Sequence, residues 1–167
     1  RLLDALREAG AKVFGIEVDP ARAEESRAKG HSVQRANFLE TVPTGDYDRV
    51  VMNPPFYGTH YARHVEHALR YLHPNGVLTA ILPATARYDH GLLSGSWEDL
   101  PVGAFSASGT NVNTCILTLR RPADLVEAGL VPADRLPALE RVAARYAVAL
   151  TPALAGARPV MVWIHGG

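Results

Sequence analysis

Apolar and polar positions along the chain fall into blocks, and each change of period marks a new element. In residues 1–10, Leu2, Leu3 and Leu6 lie on one side of a helix and Asp4, Arg7 and Glu8 on the other, with Gly10 placed to end it. Lys12–Val18 is short, apolar and partly β-branched, which predicts a buried strand broken by Asp19-Pro20. Ala21–Lys29 predicts a helix stopped by Gly30, Ser32–Ala36 a short strand, and residues 40–47 a loop. Arg49–Met52 reads as another buried strand, ending abruptly at Asn53-Pro54-Pro55-Phe56. Val65, Ala68, Leu69 and Leu72 share one face of a helix over Tyr61–Leu72, and Pro74-Asn75-Gly76 turns the chain into a strand over Val77–Leu82. Alternating strands and helices predict an α/β fold with a parallel sheet covered on both faces.

Beyond Pro83 the alternation stops. Residues 84–100 are irregular with one short helix, and Gly103–Ala107 and Val112–Leu119 flank the turn-rich Ser108-Gly109-Thr110-Asn111, which predicts an antiparallel hairpin. Arg120-Arg121-Pro122 ends it. Ala123–Gly129 and Leu136–Leu150 predict two helices, and Val160–Ile164 a last strand. The expected division is a domain over residues 1–121 and a helical extension with a terminal strand over 122–167. No repeat or low-complexity tract interrupts the pattern.

Composition narrows the function classes only a little. With 167 residues, 47% of them apolar and 20% charged, the chain can bury one core. Seventeen basic residues balance seventeen acidic ones, which excludes a strongly basic nucleic-acid clamp but not a local basic groove. The single cysteine, Cys115, allows no internal disulfide, and no apolar run approaches the length of a membrane span, so a cytoplasmic protein is expected. His60, His64 and His67 share a helical face, but no cysteine or carboxylate completes a metal site, and with Arg63 and Glu66 they read as a solvated surface; no metal is expected. Trp97 and Trp163 read as packing residues. Arg35, Arg49, Arg63 and Arg87 are candidate phosphate contacts that the sequence does not gather into a groove.

Asn53-Pro54-Pro55-Phe56 carries the most chemical information. Ligands of open α/β sheets bind at the carboxyl ends of the strands, where this segment falls. Two prolines supply no N–H and fix φ near −65°, so the chain leaves the sheet with rigid geometry. Such an exit can aim the Asn53 side-chain oxygen and the Pro54 carbonyl at one point. An exocyclic amine is a poor nucleophile because its lone pair is delocalised into the ring. Two acceptors on its two hydrogens localise that pair toward an electrophilic methyl, without a strong base. Phe56 would stack on the flipped base.

On these residues, the stretch from about residue 12 to 120 resembles S-adenosylmethionine-dependent amino methyltransferases, specifically the adenine-N6 DNA methyltransferases with an Asn-Pro-Pro-Phe signature. The resemblance implies a Rossmann-like sheet, S-adenosylmethionine as cofactor and adenine-containing DNA as substrate. Asn53, Pro54, Pro55 and Phe56 become the catalytic segment. Glu17 and Val18, in Gly15-Ile16-Glu17-Val18-Asp19-Pro20, match the acidic strand end that binds the cofactor's ribose hydroxyls. Asn37 and Phe38, in Arg35-Ala36-Asn37-Phe38-Leu39, fall where the family usually has an Asp contacting the cofactor's adenine, so the hydrogen bond is kept and the charge dropped. Glutamine methyltransferases of release factors usually have Tyr in place of Phe56, and ribosomal guanine-N2 methyltransferases usually have His in place of Tyr57; both remain alternatives, as does a non-catalytic fragment of the fold.

The resemblance also implies something missing. The family's first strand and the glycine turn that holds the methionine part of the cofactor would precede Arg1. That strand lies centrally, between Lys12–Val18 and Arg49–Met52, and without it two buried strand edges would stay unpaired. Both ends of the sequence look cut. Leu125–Leu154 resembles the helical lead of lysine 2,3-aminomutase-like radical enzymes, whose three cluster cysteines are not here, and Pro159–Gly167 resembles a carboxylesterase oxyanion-hole strand without the Gly-x-Ser-x-Gly elbow. Three resemblances in series suggest a composite reading frame. An apolar strand followed by Gly166-Gly167 is physically what the central gap requires, which predicts that Val160–Ile164 pairs with both Lys12–Val18 and Arg49–Met52.

Overall fold

A computed structural model of the chain describes residues 2–58, 60–88, 95–106, 111–121 and 160–164. The described elements run α1 (Leu2–Glu8), β1 (Val13–Glu17), α2 (Pro20–Ala28), β2 (Ser32–Arg35), β3 (Tyr47–Asn53), α3 (His60–Leu69), β4 (Leu72–Pro83), β5 (Ser96–Asp99), β6 (Thr114–Arg120) and β7 (Val160–Ile164), with 3₁₀ turns at Phe38–Glu40 and Ala84–Arg87. The helix caps follow the sequence. Asp19 caps α2 by accepting from the Arg22 amide at 2.8 Å, with Pro20 at the first helical position. Gly10 and Gly30, both at positive φ, end the two helices on the sheet's near face.

Seven strands form one sheet in the order β2-β1-β7-β3-β4-β6-β5. β7 is an interior strand, third from the β2 edge. It runs parallel to β1, with Val13 opposite Val160 and Ile16 opposite Trp163, and parallel to β3, with Arg49 opposite Val160 and Asn53 opposite Ile164. The predicted double pairing is therefore present, and it satisfies backbone groups on two strands that would otherwise be buried edges.

Period-two alternation sorts the strand residues between two faces. Leu3 and Ala23 of the first two helices pack with Val33, Val13 and Val51 on one face. On the other, Tyr61, Val65, Ala68 and Leu69 of α3 cover Ile16, Val50, Met52, Leu78, Ala80 and Leu82. Fully burying an apolar side chain of this size contributes roughly 1.5–3 kcal/mol, so this second cluster is the principal core.

Three expectations are corrected. β6 runs antiparallel to β4 on one side and to Ser96–Asp99 on the other, with Trp97 opposite Leu117, and not to Gly103–Ala107, whose described part is a turn. The Pro74-Asn75-Gly76 turn lies inside β4, which starts at Leu72 opposite Tyr47 and resumes register at Val77 opposite Arg49; the kink is absorbed by a positive φ of 68° at Asn75. The helix correspondingly ends at Leu69. The face of α3 read as solvated is largely covered: His64 and Glu66 are buried, and the ring of Phe38 stacks parallel to His64 and meets His67 edge-on. The predicted helices over 123–129 and 136–150 lie outside the described residues.

Candidate active site

Parallel strands β1, β7, β3 and β4 end on one edge of the sheet, and the chain leaves β1 and β3 there by proline-fixed turns. Glu17 is the last residue of β1, one beyond the Ile16–Trp163 pair; Asn53 is the last of β3, opposite Ile164. The two residues therefore stand level on either side of the end of β7, two strand spacings or roughly 10 Å apart. Alternation also sets their direction. Glu17 follows Val13 and Gly15, and Asn53 follows Val51, onto the face covered by α1 and α2.

Both residues carry a buried polar atom with no partner. The Glu17 side chain is 2% exposed; its Oε1 accepts from the Asp19 amide at 2.8 Å, while Oε2 is buried and bonded to nothing. Burial pushes the Glu17 carboxyl above its ordinary value of 4.5, against the opposing pull of the Asp19 hydrogen bond and of Arg22. At the end of β3 the Asn53 Oδ1 is likewise buried without a donor. Unsatisfied buried acceptors are uncommon because each carries a desolvation penalty, and these two fall at one sheet edge. Pro54 and Pro55 are buried, Phe56 is half-buried, and Tyr57 is exposed beyond them. Val18, exposed at 42%, follows Glu17 on the rim.

The third strand end is arranged differently. Asn37 caps the 3₁₀ turn, its Oδ1 accepting from the Leu39 amide at 3.3 Å and its Nδ2 donating to Glu40 at 2.7 Å. It lines a cavity of about 620 Å³ together with Phe14, Ile16, Ala36, Tyr47 and Tyr71, on the sheet face opposite to Glu17 and Asn53. Phe38 is 1% exposed, inside an aromatic stack with His64, His67 and Tyr71, so its ring supports the core and has no surface for a ligand. The Tyr71 hydroxyl donates to Thr41, whose own hydroxyl donates to the Phe38 carbonyl, and this relay pins the loop under Asn37.

Of the candidate arginines, Arg35 ends β2, Arg63 is exposed in the first turn of α3 and Arg87 follows β4, all toward the carboxyl edge; Arg49 lies near the start of β3, away from it. Arg87 is fixed by Asp99, at 2.5 and 3.2 Å, and sits over the Trp97 ring at 5.7 Å. Tyr57 and His60 form a ring pair that the sequence reading did not single out; its signal was the aromatic directly after the proline exit.

A family model described as the methyltransferase small domain matches residues 10–101, from just before β1 through β5. No curated protein matches the chain by sequence. Among solved structures, a Haemophilus influenzae protein assigned as a methylase superposes with a TM-score of 0.51 at 17% identity, covering 72% of this chain and 78% of its own. The 23S rRNA methyltransferase ErmE gives 0.51 at 25% identity over 68% of this chain and 53% of its own. The cyclase SpnF gives 0.54 at 14% identity over 74% and 70%, so one fold serves more than one chemistry.

Proposed function

This chain belongs to the methyltransferase small domain family, and from that premise we propose that it transfers a methyl group to the exocyclic amine of adenine in DNA. The cofactor is S-adenosylmethionine, which supplies the electrophilic methyl. The Glu17 carboxylate suits the ribose of that cofactor: a buried acceptor oxygen without a donor matches a sugar hydroxyl. Val18 borders the same place, while Asn37, on the opposite face of the sheet and tied to Leu39 and Glu40, lines a separate cavity, with Phe38 buried in the core beside it.

One observation carries the substrate reading, the partnerless Asn53 Oδ1 at the foot of a rigid proline exit. Asn53 Oδ1 and the Pro54 carbonyl accept the two amine hydrogens, which draws the nitrogen lone pair out of the ring. The buried prolines hold both acceptors still, so little reorganisation is needed as charge develops. Phe56 stacks on the extruded base and orients the amine. The Asn-Pro-Pro-Phe order supports adenine, and the likeness to an rRNA methyltransferase makes RNA the nearest competing substrate.

The test is methyl transfer to adenine-containing DNA, RNA and glutamine peptide in parallel. DNA is expected to accept methyl, and Asn53→Ala to lose at least about 100-fold in rate while binding S-adenosylhomocysteine as the wild type does, in line with the loss of one transition-state hydrogen bond. Methylation of the RNA or peptide alone would reassign the substrate, and no binding of S-adenosylhomocysteine at millimolar concentration would end the enzymatic reading.

A further inference from the structure

The exposed large apolar side chains among the described residues are unevenly placed. Val18, Tyr57, Tyr88, Val102 and Val112 all lie on connections at the carboxyl edge of the sheet, and Val42 is the exception. Tyr57 is 64% exposed, so packing does not account for the residue type. Its ring is nevertheless placed. Pro54 and Pro55 fix the exit from β3, Gly58 at φ +57° reverses the chain, and α3 starts at His60, whose exposed ring lies against Tyr57 at a centroid distance of 4.6 Å and an interplanar angle of 49°. An aromatic pair that follows a proline-fixed strand exit and is left open to solvent offers a stacking surface.

We propose that Tyr57 and His60 form a platform for a nucleobase flanking the target, so that the site takes its nucleic acid as an unpaired strand. The inference rests on the reading of Asn53-Pro54-Pro55-Phe56 as an amine-methylating segment, since it places the neighbouring base four residues further along the same exit. A nucleic-acid occupant fits the charge: the first turn of α3 holds no acidic residue and carries the exposed Arg63, and the exposed Arg35 ends β2 on the same edge. Every base has a π face, so this contact sets preference for unpaired strands without reading sequence.

The experiment is fluorescence anisotropy of a labelled single-stranded adenine oligonucleotide with the full chain, against a duplex of the same sequence, over a range of salt. Tyr57→Ala is expected to bind the single strand about 5- to 100-fold more weakly, with an unchanged slope of log K against log salt. Tyr57→Phe is expected to retain binding. Arg63→Ala is expected to lower the slope by about 1, as a phosphate contact does. S-adenosylhomocysteine affinity stays at the wild-type value in the Tyr57 variants, which certifies the fold. If Tyr57→Ala binds the single strand like the wild type while Asn53→Ala stops methylation, the platform is refuted and the proposed chemistry stands. If the wild type binds the single strand through Tyr57 but methylates nothing, the platform stands and the chemistry falls. Tighter binding of the duplex, or of a peptide substrate only, overturns the platform.

Discussion

At the scale of single residues, the proposed site rests on two buried acceptors, Glu17 Oε2 and Asn53 Oδ1, that have no partner among the described residues. Glu17 holds one oxygen in the β1 exit turn and turns the other into a buried position. Glu17→Gln keeps the shape and removes the charge, and is expected to weaken S-adenosylhomocysteine binding about 10- to 100-fold, as measured by calorimetry, because hydrogen bonds to charged groups contribute roughly 1.5–3 kcal/mol. The wild-type affinity should fall with pH at values above the ordinary carboxyl 4.5, since burial raises the pKa and the protonated form has lost its charge. Glu66, outside the strand ends, shows the same burial effect with a consequence for stability. It is 5% exposed, its Oε1 has no partner, and burial pushes its carboxyl up to about 7 against the opposing pull of Arg70 and Arg63. A folded-state pKa above the unfolded value adds stability at low pH that is lost as pH rises toward 7. Glu66→Gln should therefore stabilise the chain at pH 8 by on the order of 1–2 kcal/mol after screening by the two arginines, seen as a higher melting temperature, and make no difference near pH 4. Asn53 was legible in the sequence because prolines and strand end meet in four letters. Glu66 was not, because a charged residue beside Arg63 and two histidines on a helix reads as solvated, and its burial arises only in the folded chain.

At the scale of elements, local signals located helices and strands well but misjudged partners. Gly103–Ala107 and Ser96–Asp99 both precede the turn-rich segment before β6, and nothing in their propensities decides which one pairs. The sheet decides through close approach. A Cβ on Gly95, at the entry to β5, would lie 2.5 Å from the Thr118 carbonyl oxygen and 2.7 Å from a Leu119 methyl. Only glycine lets the chain enter β5 this close to β6. Gly95→Ala must displace backbone, and is expected to destabilise the chain by about 1–3 kcal/mol in urea unfolding with the slope unchanged. The same limit explains α3. The apolar stripe at Val65, Ala68, Leu69 and Leu72 runs on past the helix end because Leu72 already serves β4, opposite Tyr47.

At the scale of the whole molecule, the sheet depends on its last described strand. β7 joins β2-β1 to β3-β4-β6-β5, and no other described strand bridges them. Proline at its centre, Val162→Pro, opposite Gly15 and Val51, removes a ladder donor from a strand paired on both sides. It should cost at least about 3 kcal/mol and abolish cofactor binding as well, whereas Ser32→Pro, at the first position of the edge strand β2, should cost less; circular dichroism melts and S-adenosylhomocysteine titration report both. The sequence by itself determined the element types, the proline-fixed strand exit and the acidic strand end, because period, capping and turn chemistry are local. It also exposed the central gap, since unpaired buried edges are forbidden whatever their sequence. The sequence likewise put Val160–Ile164 into that gap, and the sheet bears this out; the tertiary structure decided which strand closes the far edge, and that Glu17 and Asn53 stand level across the end of β7. The first depends on close approach of the chain at Gly95 and the second on register between strands more than a hundred residues apart, and no local pattern encodes either.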